Sequence, residues 1–98
     1  MDAKLKADWI AALRSGEFKQ TRGRMFDGEG YCCLGVLCKV AGCTVVLGST
    51  DRDRENAENY DFVERATPID RTDLSQKNDI EMLTFPQIAD WLEANPDV

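Results

Sequence analysis

Near the amino end, apolar residues recur at helical spacing. Leu5, Trp9, Ala12 and Leu13 stand at i, i+4, i+7 and i+8, one face of a 3.6-residue period. Asp2 is placed to cap this helix, and Ser15-Gly16 to end it with a glycine in the left-handed conformation. The pattern then changes. Phe18 to Phe26 is followed by Asp27-Gly28, a dipeptide suited to a tight turn, and by Gly30-Tyr31-Cys32, which predicts a β-hairpin over 18–32. Gly23, Gly28 and Gly30 weaken flat strands, so the expected ribbon is bulged or irregular.

From Cys33 to Ala41 helical spacing returns at Leu34, Leu37, Cys38 and Ala41, with Val36 and Val40 widening the apolar surface. A helix apolar on nearly all sides is a buried one. Gly35 in its interior points to close packing against a neighbour, and Gly42 supplies the stop. Thr44 to Leu47 reads as a short strand. Residues 48–82 show little apolar periodicity and are expected to form a long, variable acidic loop with one short helical turn at most, tacked to the core by Tyr60, Phe62, Val63, Leu74 and Ile80. The last helix has the clearest start signal. Thr84-Phe85-Pro86-Gln87 is a capping box, Leu83 and Ile88 form the flanking staple, and Pro86 falls in the first turn. Phe85, Ile88, Ala89 and Leu92 make its buried stripe, flanked by Trp91, and Asn95-Pro96 ends it. The expected fold is a small single α+β domain spanning residues 1–98, with about three helices, a β-hairpin and one short extra strand.

Composition narrows this picture. The 98 residues, 43% of them hydrophobic, suit one core. No apolar run approaches the roughly 20 residues of a membrane span, and the charged N-terminus lacks a signal-peptide pattern, so a cytoplasmic location without membrane contact is expected. The net charge of −6 is unevenly spread. Residues 1–43 hold seven basic and five acidic side chains, whereas residues 44–98 hold five basic and thirteen acidic. The acidic half should repel nucleic acid and attract basic protein surfaces.

Candidate chemistry is mostly excluded. The chain has no histidine, which removes the usual general base, the common nucleophile pairs and the commonest metal ligand. Cys32, Cys33, Cys38 and Cys43 are spaced C-C-x4-C-x4-C, without the paired ligands and intervening loop of structural zinc sites, and they read as small buried hydrophobes. Asp51-Arg52-Asp53-Arg54-Glu55 begins like a calcium loop. It fails where such loops are strict, with Asn56 for the glycine and Phe62 for the bidentate glutamate. Asp27-Gly28-Glu29-Gly30 matches no phosphate-binding pattern. No catalytic residue, metal or cofactor is therefore expected. Two candidate surfaces remain. One is the partner-binding acidic set Asp51, Asp53, Glu55, Glu58, Asp61 and Glu64. The other is the basic-aromatic set Lys19, Gln20, Arg22, Arg24 and Tyr31, in which Arg22 and Arg24 share a ribbon face and could grip a phosphate or simply balance the acidic half.

Three segments carry a resemblance: Trp9-Ile10-x-Ala12-Leu13-Arg14-Ser15-Gly16-x-Phe18-x-Gln20, then Tyr31-Cys32-Cys33-Leu34-Gly35-Val36-Leu37-Cys38, then Leu83-Thr84-Phe85-x-Gln87-Ile88-Ala89-Asp90-Trp91-Leu92-Glu93. They resemble a family of small proteins encoded by bacteriophages and prophages. The likeness covers both ends of the chain, skips residues 44–73, and brings no catalytic residues with it. It implies phage origin and action inside a bacterial host cell. By analogy with other small acidic phage proteins, it suggests an antagonist of host defence of the anti-CRISPR kind. The leading expectation is a non-enzymatic accessory protein that binds and inhibits a host protein or complex, its acidic surface mimicking nucleic acid rather than binding it. The alternatives are a sponge for a nucleotide signal, using the basic-aromatic set, and a cysteine or zinc structural protein. The apolar second helix in so small a core is also compatible with a homodimer.

Overall fold

The computed structural model describes residues 2–22, 26–43, 62, 65–66 and 71–95, with the backbone alone at 71–73 and 75. The first helix, α1 (Ala3–Ser15), starts where Asp2 Oδ2 accepts the Leu5 N–H at 2.8 Å and ends at Gly16 with φ +78°. Asp2 satisfies a backbone donor left free at the helix start, and its negative charge faces the positive end of the helix dipole. Trp9 and Leu13 are the buried residues of its inner face.

The second helix, α2 (Cys33–Val40), buries Cys33 through Cys38 without interruption. Such all-round burial follows from its composition, since neither face carries a polar residue before Lys39. The Trp9 indole Nε1–H donates to the Cys33 carbonyl at 3.0 Å, joining the buried edge of α1 to the first turn of α2.

A helix over Arg71–Asp79, α3, replaces the loop expected there. Leu74 and Asn78, four residues apart on one face, are both fully buried. One leucine and one asparagine make too weak a stripe to register as amphipathic. Phe62, Arg65 and Ala66 are also helical, and Phe62 packs on the core. Ile80, expected as a core anchor, is instead 73% exposed. Tyr60 and Val63 lie outside the described residues.

The last helix, α4 (Phe85–Ala94), carries the complete capping box. Thr84 Oγ1 accepts from the Gln87 N–H at 3.4 Å, and Gln87 Oε1 accepts from the Thr84 N–H at 2.8 Å. Phe85, Ile88, Ala89 and Leu92 are buried. Helix α1 packs on both α2 and α4, while α3 packs on α2 and α4. Arg14 bridges α1 to α4 through Asp90 (2.7 Å) and Glu93 (2.5 Å), and Lys6 Nζ donates to the Asn95 carbonyl at 2.8 Å.

The architecture is therefore helical, and the α+β expectation is overturned. Among the described residues no strand forms; segment 18–32 contains only isolated bridges, Gln20 with Tyr31 in parallel sense and Phe26 with Tyr31 in antiparallel sense. The Tyr31 N–H donates to the Lys19 carbonyl at 2.8 Å, and the Tyr31 carbonyl accepts from the Thr21 N–H at 2.9 Å. The expected turn is present, with Gly28 at φ +96°, but it closes a looped crossing rather than a ladder. The physical reason is that residues 19–21 meet Tyr31 running in the same direction, which a two-residue hairpin cannot produce. The proposed Thr44–Leu47 strand lies outside the described residues.

Gly30 marks the crossing point. A Cβ at this position would lie 2.8 Å from the Lys19 carbonyl oxygen, a backbone atom that cannot swing away. Gly30→Ala should therefore lower stability by about 1–3 kcal/mol, read as a shifted denaturant midpoint with an unchanged slope. A midpoint equal to that of the parent chain would show that the two segments are not held in contact.

Candidate functional site

The most organised polar cluster lies where the 18–31 crossing meets α2, α3 and the connector before α4. Its centre is Asn78, fully buried on α3. Asn78 Oδ1 accepts from the Cys33 N–H at 3.2 Å and from Gln20 Nε2 at 2.8 Å. Asn78 Nδ2 donates to the Thr21 carbonyl at 2.9 Å and to Asp79 Oδ1 at 2.7 Å. The backbone partners settle the amide orientation, because Cys33 N–H can only donate and Thr21 C=O can only accept.

Gln20 continues the cluster. Its Nε2 also donates to the Leu83 carbonyl at 2.8 Å, and its Oε1 accepts from the Phe85 N–H at 3.2 Å. Phe85 is the first residue of α4, so Gln20 satisfies one of the backbone donors left open at that helix start. Arg22 Nη2 donates to the Met82 carbonyl at 3.3 Å. Met82 turns the connector with φ +56°, a conformation that costs a non-glycine residue energy, and is 60% exposed. Gln20 and Arg22 thus hold two successive carbonyls of a strained connector.

Tyr31 is half-buried between two rings. It stacks on Phe26 at 4.7 Å and meets Phe18 edge-on at 5.6 Å. Lys19 Nζ pairs with Glu29 at 3.0 Å in solvent. The structure therefore brings Lys19, Gln20, Arg22 and Tyr31 into one region but engages each in internal contacts. Arg24 lies outside the described residues, as do Asp51, Asp53, Glu55, Glu58, Asp61 and Glu64. Asn78 had no signal in the hydropathy pattern, and only the i, i+4 relation to Leu74 could have pointed to it.

Asp27 organises the turn between the two arms of the crossing. Its Oδ1 accepts from the Gly30 N–H at 2.7 Å and the Glu29 N–H at 2.9 Å, and its Oδ2 accepts from the Thr21 hydroxyl at 2.7 Å. The Gly30 N–H, the Thr21 hydroxyl and the Glu29 N–H hold this carboxyl down at about 2, below its ordinary 3.8. A depressed folded-state value means the ionised form favours the fold. That contribution is complete above the ordinary value and is lost as pH falls from about 4 through about 2. A carboxyl NMR titration should place the Asp27 midpoint near 2, and Asp27→Asn should flatten the pH dependence of stability across that window. An ordinary midpoint would mean the turn is open in solution.

Burial restrains three of the four thiols. Burial raises Cys32 to about 11 and Cys38 to about 12, and drives Cys33 well above the usual thiol range. At neutral pH these three sulfurs are overwhelmingly protonated, which slows any reaction that needs the thiolate. Among the described residues, no group of three or more His, Cys, Asp or Glu side chains could hold a metal ion. No helix among them is long and apolar enough to cross a membrane.

No curated protein and no solved structure matches the chain. A family match extends over α1, the crossing, α2 and the acidic stretch, stopping before α3 and α4. Residues 1–69 match the family described as Domain of unknown function (DUF8296), and the chain belongs to that family.

Proposed function

We propose that the chain is a non-enzymatic phage accessory protein of the bacterial cytoplasm that binds a basic surface on a host protein or complex and blocks it. The anti-defence role follows from the phage resemblance, and the partner chemistry from the charge. The observation that carries the reading is the use made of six of the described cations. Lys4 pairs with Asp8, Arg14 with Asp90 and Glu93, Lys19 with Glu29, and Lys77 with Glu81, while Lys6 and Arg22 donate to backbone carbonyls. Lys77 Nζ also sits 4.7 Å from the centre of the Trp91 ring. With these cations engaged by carboxylates and carbonyls of the chain itself, the charge left for a partner is the carboxylate excess of residues 44–98.

The same engagement weakens the sponge alternative, since a phosphate ligand would have to displace the contacts of Gln20 and Arg22. The test is affinity capture of host proteins from bacterial lysate by the tagged full chain. A second chain carries Asp51, Asp53, Glu55, Glu58, Asp61 and Glu64 changed to their amides. The parent should retain a specific protein whose capture falls steeply with added salt, and the amide chain should lose it. Equal capture by both chains would overturn the reading.

A further inference from the structure

Helix α2 ends in a defined backbone motif. The Gly42 N–H donates to the Lys39 carbonyl at 3.1 Å, the Cys43 N–H donates to the Cys38 carbonyl at 2.9 Å, and Gly42 takes φ +86°. These are the two paired bonds of a Schellman cap, which brings the third residue from the helix end against the second residue beyond it. That contact is usually apolar. Here both positions are cysteine.

The surroundings set these two sulfurs apart from the other two. Cys38 is fully buried in the core, and Cys43 is partly buried against the same cluster. The Cys38 and Cys43 thiols lie close enough to influence one another, Cys43 helping to raise Cys38. Given the 2.9 Å bond between Cys43 N and Cys38 O, standard bond lengths keep the two Cα atoms within about 6.8 Å, the upper end of the disulfide range. Both cysteines are unbridged in this structure. Cys32 and Cys33 lie at the opposite end of α2.

We propose that Cys38 and Cys43 are a redox-responsive pair that closes reversibly to an intrachain disulfide when a small-molecule disulfide such as oxidised glutathione is present. Closure locks the point where the chain leaves α2 toward acidic residues 51–64. The proposal stands independently of the binding role above. Cys43, the more accessible thiol, loses its proton to water, and its sulfur attacks one sulfur of oxidised glutathione. The oxidant's S–S bond breaks and one glutathione leaves as thiolate, taking up a proton. Cys38 then loses its proton and attacks the Cys43 sulfur of the mixed disulfide, displacing the second glutathione. Two protein thiols are oxidised by two electrons in all, and one glutathione disulfide is reduced to two glutathiones. Burial of Cys38 slows the second step at neutral pH, so closure should accelerate as pH rises.

The experiment incubates the reduced full chain with oxidised glutathione, quenches with acid, alkylates, and digests with trypsin without reduction. Cleavage after Lys39 separates the two cysteines, so the bond appears as two linked peptides, with fragmentation placing it at Cys38 and Cys43. The expected result is that link as the main product, reversed by dithiothreitol and absent in Cys43→Ser. A stable glutathione adduct at Cys43 without a link, a link through Cys32 or Cys33, or no oxidation at all would each overturn the proposal. Mapping the parent chain reads the outcome directly, so the conclusion does not depend on Cys38→Ser folding.

Discussion

Asn78→Leu is expected to lower stability by about 3–4 kcal/mol, a large effect for a change that adds apolar surface to a buried site. The substitution removes no charge and leaves no large cavity. Its cost comes from the partners. The Cys33 N–H, one bond of the Gln20 amide and the Thr21 carbonyl would lose their acceptor or donor while remaining partly or wholly buried. Each stranded group costs about 1–3 kcal/mol, and partial access to water offsets some of this. Asn78→Asp keeps the acceptor but loses the donor to Thr21 and sets a second carboxylate beside Asp79. Burial and that neighbour raise its folded-state value, so its destabilisation should shrink as pH falls and the protonated form regains a donor. Chemical denaturation across pH checks both variants. A loss under 1 kcal/mol for the leucine variant would mean water already reaches the cluster.

Leu74→Ala is expected to cost about 3 kcal/mol, within the usual span for a buried leucine. The consequence should be concentrated in α3. Leu74 is the only apolar residue between Arg71 and Asp79, so it supplies the apolar burial that this segment's own sequence offers. Hydrogen exchange should therefore show amides of residues 74–79 losing protection before those of α1 and α4, as expected for a unit held by few apolar contacts. Uniform loss across all helices would show instead that α3 unfolds only with the whole domain.

These two residues also explain where the sequence was legible. The starts of α1 and α4 and the ends of α1 and α2 could be read from the chain because they are written in local features: Asp2 with Leu5, the Thr84–Gln87 box, and glycines at positive φ after α1 and α2. A cap needs no distant partner, so its residues announce it. The apolar run of α2 likewise made its burial evident. The candidate site was half legible. Lys19, Gln20, Arg22 and Tyr31 stood out as a cluster, but their identity as a cluster of free ligands did not survive their actual contacts.

By itself the sequence determined three helices, a shared apolar core for them, an uneven charge and the absence of histidine. The tertiary structure decided the rest. It turned the expected hairpin into a same-direction crossing at Gly30, because backbone bonds from residues 19–21 go to Tyr31 in parallel register. It placed α3 through one leucine and one asparagine, a pattern that gains meaning only when Gln20, Thr21 and Cys33 arrive to satisfy the amide. It also set the thiols apart, leaving Cys38 and Cys43 in contact at a helix cap. Local bonds are encoded within a few residues, whereas burial and polar satisfaction depend on segments brought together from up to 89 positions apart, and no window along the chain contains them.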